Sequence, residues 1–333
     1  MCLLPKPNLK KRMSISIIKP GICSAVQDLG RTGYRSLGIG PGGVMDFFAA
    51  SVANYLVGTD ENTAVIEMHF PAATIAFQSD ACISITGADF AAYINDIPVP
   101  LYQPLYITNG DLLSFKKNTS GARAYLAIGG GMTTDQWLGS YSTHVKVQAG
   151  GFKGRLLQKD DVIGLNAVAV TKWSKNFSIA PSVIESIYAK ENLIRCITGP
   201  EYQLINTKSE NIFSNTSFVI SNQSDRMGYR LQGEMLSLKK SAELISSAVG
   251  FGTIQLLPNG QLIVLMADHQ TTGGYPRIAA VITADLPKLA QVRVNTAIKF
   301  KLLPLSKAEE ILLSMHQTIN EIKKGCQNFY AAH

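Results

Sequence analysis

The chain has 333 residues, of which 46% are hydrophobic and 17% charged, so it can bury a substantial core. At this length a core usually splits in two, which predicts two lobes. The formal net charge is +7, but Lys6, Lys10, Lys11 and Arg12 supply four of these charges and leave +3 for the remaining 321 residues. That distribution argues against a nucleic-acid partner.

Residues 1–12 are predicted to be a disordered leader, with Met13 as a candidate functional start. No apolar run long enough for a signal peptide follows, and no stretch approaches the roughly 18 apolar residues of a membrane span. The five cysteines lie far apart and never show C-x-x-C or metal-ligand spacing. We therefore expect a cytoplasmic protein that does not engage a membrane.

Short β-rich runs dominate the chain and predict a mainly β, antiparallel, barrel-like architecture. Asn109-Gly110 and Asn259-Gly260 predict hairpin turns, because Asn-Gly accepts the positive φ that tight hairpins need. The predicted strands cover residues 14–18, 74–77, 82–86, 112–115, 123–128, 217–221, 253–257 and 262–267.

Few helices are predicted. Asp46 can cap a helix that ends at Gly58, and a capping box from Ser306 to Glu309 opens a C-terminal helix. The apolar stripe of that last helix favours packing over partner binding. Its members are Ile311, Met315, Ile319 and Ile322.

The lobe boundary is predicted near a possible helix at 181–189, where strand patterns are sparse. This gives an N-terminal β-barrel lobe over residues 13–180 and a C-terminal one over 181–305. Residues 306–333 form the helix and tail.

Two short segments resemble each other. Residues 30–38 and 225–233 share the pattern R-x-G-Y-R and a downstream glycine. This similarity arose either by chance or by a duplication, which would give two related lobes that face one cleft. In the second interpretation Arg31, oriented by Asp28, is a planar fork for a carboxylate or phosphate, and Arg226 and Arg230 repeat that chemistry. The alternative is an ordinary turn with a surface ion pair.

Two further features are ambiguous. A Gly-rich stretch at 129–134, followed by Ser140, Ser142 and Thr143, can bind an anion through exposed N–H groups, although it is not a nucleotide-binding fingerprint. Glu67 ends an apolar run, and strand alternation favours a solvent-facing position over a buried one.

The segment from Met266 to Tyr275 carries the strongest signal. An apolar strand changes abruptly into polar side chains and then Gly273-Gly274, which would let a ligand approach the backbone closely. Asp268 is predicted as a base or Mg²⁺ ligand, the one possible metal contact. An ordinary polar loop with Tyr275 packed behind it is the alternative. The remaining candidates for binding an amide or carboxylate here are Gln270, Thr271 and Thr272.

Ten ordered motifs resemble the biotin-dependent carboxyltransferase family, which includes allophanate hydrolase subunit 2 and the KipA-type proteins. They are Gln27-Asp-x-Gly-Arg31, Gly42-Gly43-x-Met-Asp46, Ala53-Asn54-x-Leu-Val-Gly58, Glu67, Thr86-Gly-Ala-Asp89, Tyr125-Leu-Ala-x-Gly-Gly130, Leu138-Gly-Ser-x-Ser-Thr143, Ser224-Asp-Arg-Met-Gly228, Gly252-Thr-Ile-Gln255 and Asp268-x-Gln-Thr-Thr-Gly-Gly-Tyr275. Residues 292–300 depart from the family pattern, which weakens the match of the neighbouring Gln291 to its family position.

The resemblance implies two cyclophilin-like β-barrel lobes and partner proteins. Likeness to the C subunits of bacterial 5-oxoprolinases implies ATP-dependent cleavage of 5-oxo-L-proline to L-glutamate, using ATP with Mg²⁺. The implied partners are the other two components of that enzyme, a KipI-like B subunit and an A subunit. Asp268, Gln270 and Arg226 would then be catalytic. The predicted binding residues are Gln27, Asp28, Arg31, Ser140, Ser142, Thr143, Arg230, Gln255, Thr271, Thr272 and Tyr275.

Two alternatives stay open. The first is carboxyl transfer to urea or a similar amide, with biotin carried on another chain because this sequence has no Met-Lys-Met attachment motif. The second is a non-catalytic KipA-type partner that sequesters a KipI-like protein.

Overall fold

A computed structural model describes residues 13–167, 177–188, 192–240 and 244–332. The predicted disordered leader, residues 1–12, lies outside the described residues. The fold is mainly β, as the sequence predicts, with a long C-terminal helix. No helix within the described ranges is long and apolar enough to cross a membrane.

The N-terminal strands form two sheets. In the described part of the chain the strand order is β11-β12-β1-β4-β9-β6-β7 in one sheet and β2-β3-β10-β5-β8 in the other. The strands are β1 Ser14–Lys19, β2 Ser24–Gln27, β3 Val65–Met68, β4 Thr74–Phe77, β5 Ala81–Asp89, β6 Ala92–Ile94, β7 Ile97–Pro98, β8 Pro104–Ile107, β9 Leu112–Phe115, β10 Ser120–Ile128, β11 Met132–Thr133 and β12 Val162–Leu165.

The C-terminal strands close into a barrel of order β13-β20-β17-β18-β15-β14-β21, with β16 and β19 as a separate ribbon. The predicted Asn259-Gly260 hairpin is confirmed: β17 pairs antiparallel with β18, and Gly260 has a φ of +82°. The strands are β13 Leu193–Thr198, β14 Phe218–Ile220, β15 Gly228–Gln232, β16 Ser247–Ala248, β17 Thr253–Leu256, β18 Leu262–Leu265, β19 Thr272–Gly273, β20 Arg277–Val281 and β21 Ala297–Leu302.

The predicted Asn109-Gly110 hairpin is wrong. A turn does form, with Gly110 at a φ of +99°, but β8 pairs with β5 while β9 pairs with β4 and β6. The strands on either side of the turn therefore belong to different sheets. The turn at Asn109-Gly110 was predicted correctly, but the hydrophobic packing of the two sheets decided which strands pair.

The described residues form α-helices α1 Phe47–Leu56, α2 Pro181–Ile187, α3 Thr207–Asn215, α4 Leu286–Ala290 and α5 Leu305–Ala332. The predicted cap of α1 is confirmed, since the Asp46 carboxylate accepts from the Ala49 N–H at 2.9 Å. The predicted capping box of α5 is wrong. The helix already includes Leu305, and the Pro304 carbonyl accepts from the N–H groups of Lys307 and Ala308, so Ser306 lies inside the first turn.

The long helix α5 returns to the N-terminal lobe. Its apolar stripe joins one hydrophobic cluster with Phe48, Val52 and Leu56 of α1, which confirms the packing role predicted for the stripe. Near the end of α5, the Tyr330 hydroxyl donates to the Leu56 carbonyl. This packing ties the end of the chain to the first helix and holds the two groups of strands against each other.

Candidate functional site

A cleft of about 630 Å³ opens where the two groups of strands meet. Its walls are largely apolar, and ionisable side chains stand among them, so it has the makeup of a small-molecule site. Both groups of strands contribute to the lining. Cys23, His69 and Arg123 come from the N-terminal strands, and Arg226 and Asp268 come from the C-terminal ones.

Arg226 bridges the two sides of this cleft. It stands in the turn before β15, and its Nε and Nη2 donate to the two oxygens of Asp268 at 2.8 and 3.1 Å. Its other hydrogen bonds run to the Glu67 carboxylate on β3 and to the Gly43 carbonyl. A planar guanidinium suits such a bridge, because it can serve two carboxylates at once in a fixed geometry.

Glu67 is buried, with 4% of its surface exposed, so the solvent-facing position favoured by strand alternation is wrong. Every residue of β3 is buried because both faces of the strand are covered: Ile66 and Met68 pack into a hydrophobic core, and Met45 and Arg226 contact Glu67 on the other face. The Met45 N–H and the Tyr125 hydroxyl each donate to the carboxylate at 2.8 Å. Burial alone would raise the pKa of Glu67, but the positive charges of Arg226 and Arg123 outweigh it and lower that pKa.

A second bridge between the two sides centres on Gln291. Its amide nitrogen donates to the Asp46 carboxylate at 2.7 Å and to the Arg123 carbonyl at 3.0 Å. Arg123 in turn donates to the Tyr229 hydroxyl across the cleft. Burial raises the pKa of Asp46 to about 6, although hydrogen bonds from the Ala49 N–H and other donors act in the opposite direction.

Positive charge predominates on the lining. Arg123 and Arg226 are held in the bridges described above, whereas Lys146 and Arg293 are exposed and form no ion pair within the described residues. The Lys146 ammonium group contacts the sulfur of Met227, at 2.7 Å. The cleft therefore offers free cations to an anionic ligand. Among the described residues, four cationic side chains, Arg123, Lys146, Arg226 and Arg293, face two carboxylates, Asp225 and Asp268.

The residues of the predicted anion loop contact the carboxylate of Asp28 in the same chain. The hydroxyls of Ser140 and Ser142 each donate to the Asp28 carboxylate at 2.6 Å, as do the N–H groups of Tyr141 at 2.6 Å and Gly30 at 2.8 Å. Both of these hydroxyl side chains are buried. The arrangement holds β2 against the loop that follows β11.

Arg31, Thr143 and Gln27 complete this buried cluster. Arg31 donates to the Ser142 carbonyl at 2.6 Å, and its guanidinium lies 4.8 Å from the ring centre of Trp137. Thr143 donates to the Val26 carbonyl at 2.8 Å, and Gln27 has only a long contact of 3.5 Å with the Thr143 carbonyl. None of these predicted binding residues lines the cleft described above.

Arg31 nevertheless lies near Asp268, on the side of Asp268 that faces away from the cleft. Gly42, at a φ of +62°, separates them: a methyl group added there would lie 2.8 Å from Arg31 Nη1 and 3.7 Å from Asp268 Oδ1. The buried cluster thus supports one wall of the cleft without opening onto it.

The outer part of the loop from Met266 to Tyr275 points away from the cleft. Gln270, Thr272 and Tyr275 are exposed, and β19 at Thr272 pairs with β16. Thr271 is buried and accepts from the Val249 N–H through its carbonyl, while Gln255 donates to the Tyr275 carbonyl at 3.3 Å. Of the polar loop residues predicted from sequence, the structure brings Asp268 into the cleft.

The R-x-G-Y-R similarity does not correspond to a shared local structure. Residues Arg35–Leu37 form a 3₁₀ helix, whereas Gly228–Gln232 is a strand. Arg230 is exposed on that strand, on the opposite face from the buried Tyr229, and does not line the cleft. Arg226 is thus the arginine of the second segment that reaches it.

The oxygen atoms around Asp268 give the predicted Mg²⁺ contact little support. Magnesium binds through oxygen ligands that are free to coordinate. Both oxygens of Asp268 accept from Arg226, and the described residues contain no group of three His, Cys, Asp or Glu side chains that could hold a metal ion. Asp268 does not fit a metal ligand while this ion pair is formed.

Sequence reasoning missed His69, Arg123, Lys146 and Arg293. Arg123 had a usable signal, because it stands at the start of a predicted apolar strand and a buried guanidinium requires partners. The other three carry no local pattern, and only the packing of the two sides brings them to one cleft.

Similarity to known proteins agrees with this architecture. Residues 37–302 match the carboxyltransferase domain, subdomain A and B. The chain is 37% identical over 301 residues to the 5-oxoprolinase C subunit of Haemophilus influenzae, spanning 90% of this chain and 95% of that protein. It is 38% identical over 294 residues to the 5-oxoprolinase C subunit of Escherichia coli, spanning 88% and 93%.

A solved structure gives the same assignment. The crystal structure of Kluyveromyces lactis urea carboxylase superposes with a TM-score of 0.88 at 26% identity, covering 97% of this chain and 30% of that one. The match of residues 37–302 and these relatives agree with the motifs found in the sequence. The chain therefore belongs to the carboxyltransferase family with subdomains A and B.

Proposed function

We propose that this chain is the C subunit of an ATP-dependent 5-oxoprolinase, which opens 5-oxo-L-proline to L-glutamate. The observation that carries the proposal is the cleft, where Lys146 and Arg293 form no ion pair within the described residues and line the same cavity as the Arg226–Asp268 pair. 5-Oxoproline combines a carboxylate with a small amide ring, which suits such a site. The two bacterial relatives, both C subunits of 5-oxoprolinase by name, match nearly the whole chain.

The chemistry requires an activated amide. A lactam is a poor electrophile because its nitrogen shares a lone pair with the carbonyl group. Phosphorylation of the carbonyl oxygen by ATP would turn that oxygen into a leaving group and let water attack the carbon. Fixed positive charge stabilises the phosphoryl group during transfer.

Mg²⁺ in this proposal enters with the phosphates of ATP, because this ion commonly binds through substrate phosphates and few protein ligands. In this scheme Lys146 and Arg293 hold the anionic substrates. The Arg226–Asp268 pair orients the amide, which gives these two of the three predicted catalytic residues a positioning role, whereas the third, Gln270, is exposed and does not line the cleft.

Partner proteins are part of the proposal. The names of the bacterial relatives describe subunits, and we propose that a KipI-like B subunit and an A subunit complete the enzyme. A reducing cytoplasm suits the four described cysteines, Cys23, Cys82, Cys196 and Cys326, which are all free.

Carboxyl transfer to urea is the second candidate, favoured by the superposition on urea carboxylase. Urea is neutral, so in this reaction the anion available to Lys146 and Arg293 would be the carboxylate of carboxybiotin. The near-complete match to two bacterial C subunits of 5-oxoprolinase supports the 5-oxoproline proposal over this one.

The test is an assay of the chain purified together with its A and B subunits. ATP-dependent release of glutamate from 5-oxoproline is the expected result, and an intact complex without this activity would overturn the proposal. Biotin-dependent carboxylation of urea would support the alternative.

Replacing both free cations sharpens this test. We expect Lys146→Met with Arg293→Met to raise KM for 5-oxoproline about tenfold or more with little loss of kcat, because the lost contacts serve binding. Lys208→Met, on the exposed side of α3, is the matched control and should leave KM unchanged. An unchanged KM in the double variant would contradict the role given to these cations.

A further inference from the structure

His69 lines the cleft, and its ring has no hydrogen-bond partner among the described residues. The residue follows β3 directly, and its backbone N–H donates to the Cys23 carbonyl at 3.0 Å. The backbone is therefore fixed, while the ring forms no hydrogen bond with the described residues. A partly buried imidazole of this kind is available to a ligand.

The surroundings keep this imidazole neutral. Burial, followed by the positive charge of Arg123, lowers the pKa of His69 to about 4, while Glu67 acts in the opposite direction and Arg226 adds to the lowering. At neutral pH the ring therefore has one nitrogen that can accept a proton. The group is ready to act as a base before substrate arrives.

Several other ionisable groups in or beside the cleft are less available for this task. Both oxygens of Asp268 accept from Arg226, and Glu67 is held by Arg226 and Tyr125. Burial raises the pKa of the Cys23 thiol, which keeps it protonated. His144 already accepts from the Val147 N–H at Nδ1 and packs edge-on against Trp137.

We propose that His69 takes the proton from the lactam N–H while the lactam oxygen attacks the terminal phosphorus of a nucleoside triphosphate. The inference rests on the proposed function and adds a catalytic residue to it. In this step an O–P bond forms and the bond from that phosphorus to the leaving nucleoside diphosphate breaks. The N–H electron pair becomes the C=N bond of a cyclic imidate phosphate, and the proton moves to the imidazole.

The charges of the bound state favour this transfer. The lactam proton becomes acidic as the oxygen is phosphorylated, so a weak base suffices. The carboxylate of 5-oxoproline brings a negative charge into the cleft and makes the imidazole a stronger base. The imidazolium that forms lies near Glu67, whose negative charge stabilises it.

The test compares His69→Asn with His316→Asn in the assembled complex. Asparagine keeps a polar side chain of similar size but cannot accept the proton. We expect His69→Asn to lower kcat about a hundredfold or more, with KM for 5-oxoproline changed less than about threefold. His316→Asn, on the exposed face of α5, should match the wild type.

Imidazole rescue separates chemistry from structure. Added imidazole should restore part of the turnover of a His69→Gly complex in proportion to its concentration, which a structural role would not produce. A His69→Asn complex with wild-type kcat, or a His69→Gly complex without rescue, overturns the inference while an active wild type leaves the proposed function intact. An inactive wild-type complex overturns both.

Discussion

Two polar clusters of this protein use the same residue types for different purposes. The first surrounds Asp28 with Arg31, Ser140 and Ser142, and every member is buried. The second joins Arg226 to Asp268 and Glu67 beside an open cleft. Both contain arginine and carboxylate, and both match family motifs. Their sequences alone do not tell them apart.

The difference between the clusters lies in what remains free. In the Asp28 cluster the carboxylate takes its hydrogen bonds from neighbouring loops and has no access to a ligand. The cleft cluster pairs its own charges, but Lys146, Arg293 and His69 beside it have polar atoms to offer. Two buried atoms of the Asp28 cluster, Gln27 Oε1 and Arg31 Nε, also have no hydrogen-bond partner among the described residues, but these residues do not line the cleft. A site is therefore recognised by unsatisfied groups that border a cavity.

The largest effect is expected from Arg226→Met. The change leaves Glu67 and Asp268 without their partner, and breaking such a buried pair costs about 3–5 kcal/mol in the free energy of unfolding. It should also abolish turnover, because the pair lines the cleft. Chemical denaturation and the glutamate assay measure the two effects.

Arg230→Met is the matched control for that substitution. Arg230 is exposed, so the free energy of unfolding and the turnover should both stay close to the wild-type values. Equal losses in the two variants would contradict the bridging role that we assign to Arg226.

Asp28→Ala should separate stability from function. Removing the carboxylate leaves the donors of Ser140, Ser142 and Tyr141 buried without an acceptor, at a cost of about 2–3 kcal/mol. Protein that remains folded should keep the wild-type KM for 5-oxoproline, because Asp28 does not line the cleft. The exposed Asp96→Ala serves as control, and a large rise in KM would show that the Asp28 cluster binds substrate.

A smaller effect concerns the pH dependence of stability. The pKa of Asp46 is raised from 3.8 to about 6 in the folded protein, so the folded state holds this proton over a range where the unfolded state has lost it. Its contribution to stability is therefore present at low pH and declines as the pH rises through this range. Between pH 5 and 7 the decline amounts to about 1 kcal/mol.

Asp46→Asn should remove that decline, because an amide does not titrate, while its oxygen can still cap α1. Denaturation curves of wild type and variant at pH 5 and 7 give the measurement. The same slope in both proteins would place the titration elsewhere.

Much of the fold could be predicted from local patterns. The Asp46 cap, the Asn259-Gly260 hairpin and the apolar stripe of α5 all follow from rules that operate within a few residues. The errors arose where distant elements decide. Strand alternation predicted an exposed Glu67 because it could not show that Met45 and Arg226 cover that face of β3. Asn109-Gly110 predicted a hairpin, but the strands on either side of the turn belong to different sheets.

The sequence by itself determined the mainly β class, the family and the identity of Arg226 and Asp268 as candidate site residues. Only the tertiary structure decided which polar groups remain free. Hydrogen bonds between residues far apart in the chain satisfy Asp28, whereas the His69 ring is left without a partner in the described part of the chain. Lys146 and Arg293 are separated by more than a hundred residues of sequence, and the packing of the two groups of strands brings them to one cleft.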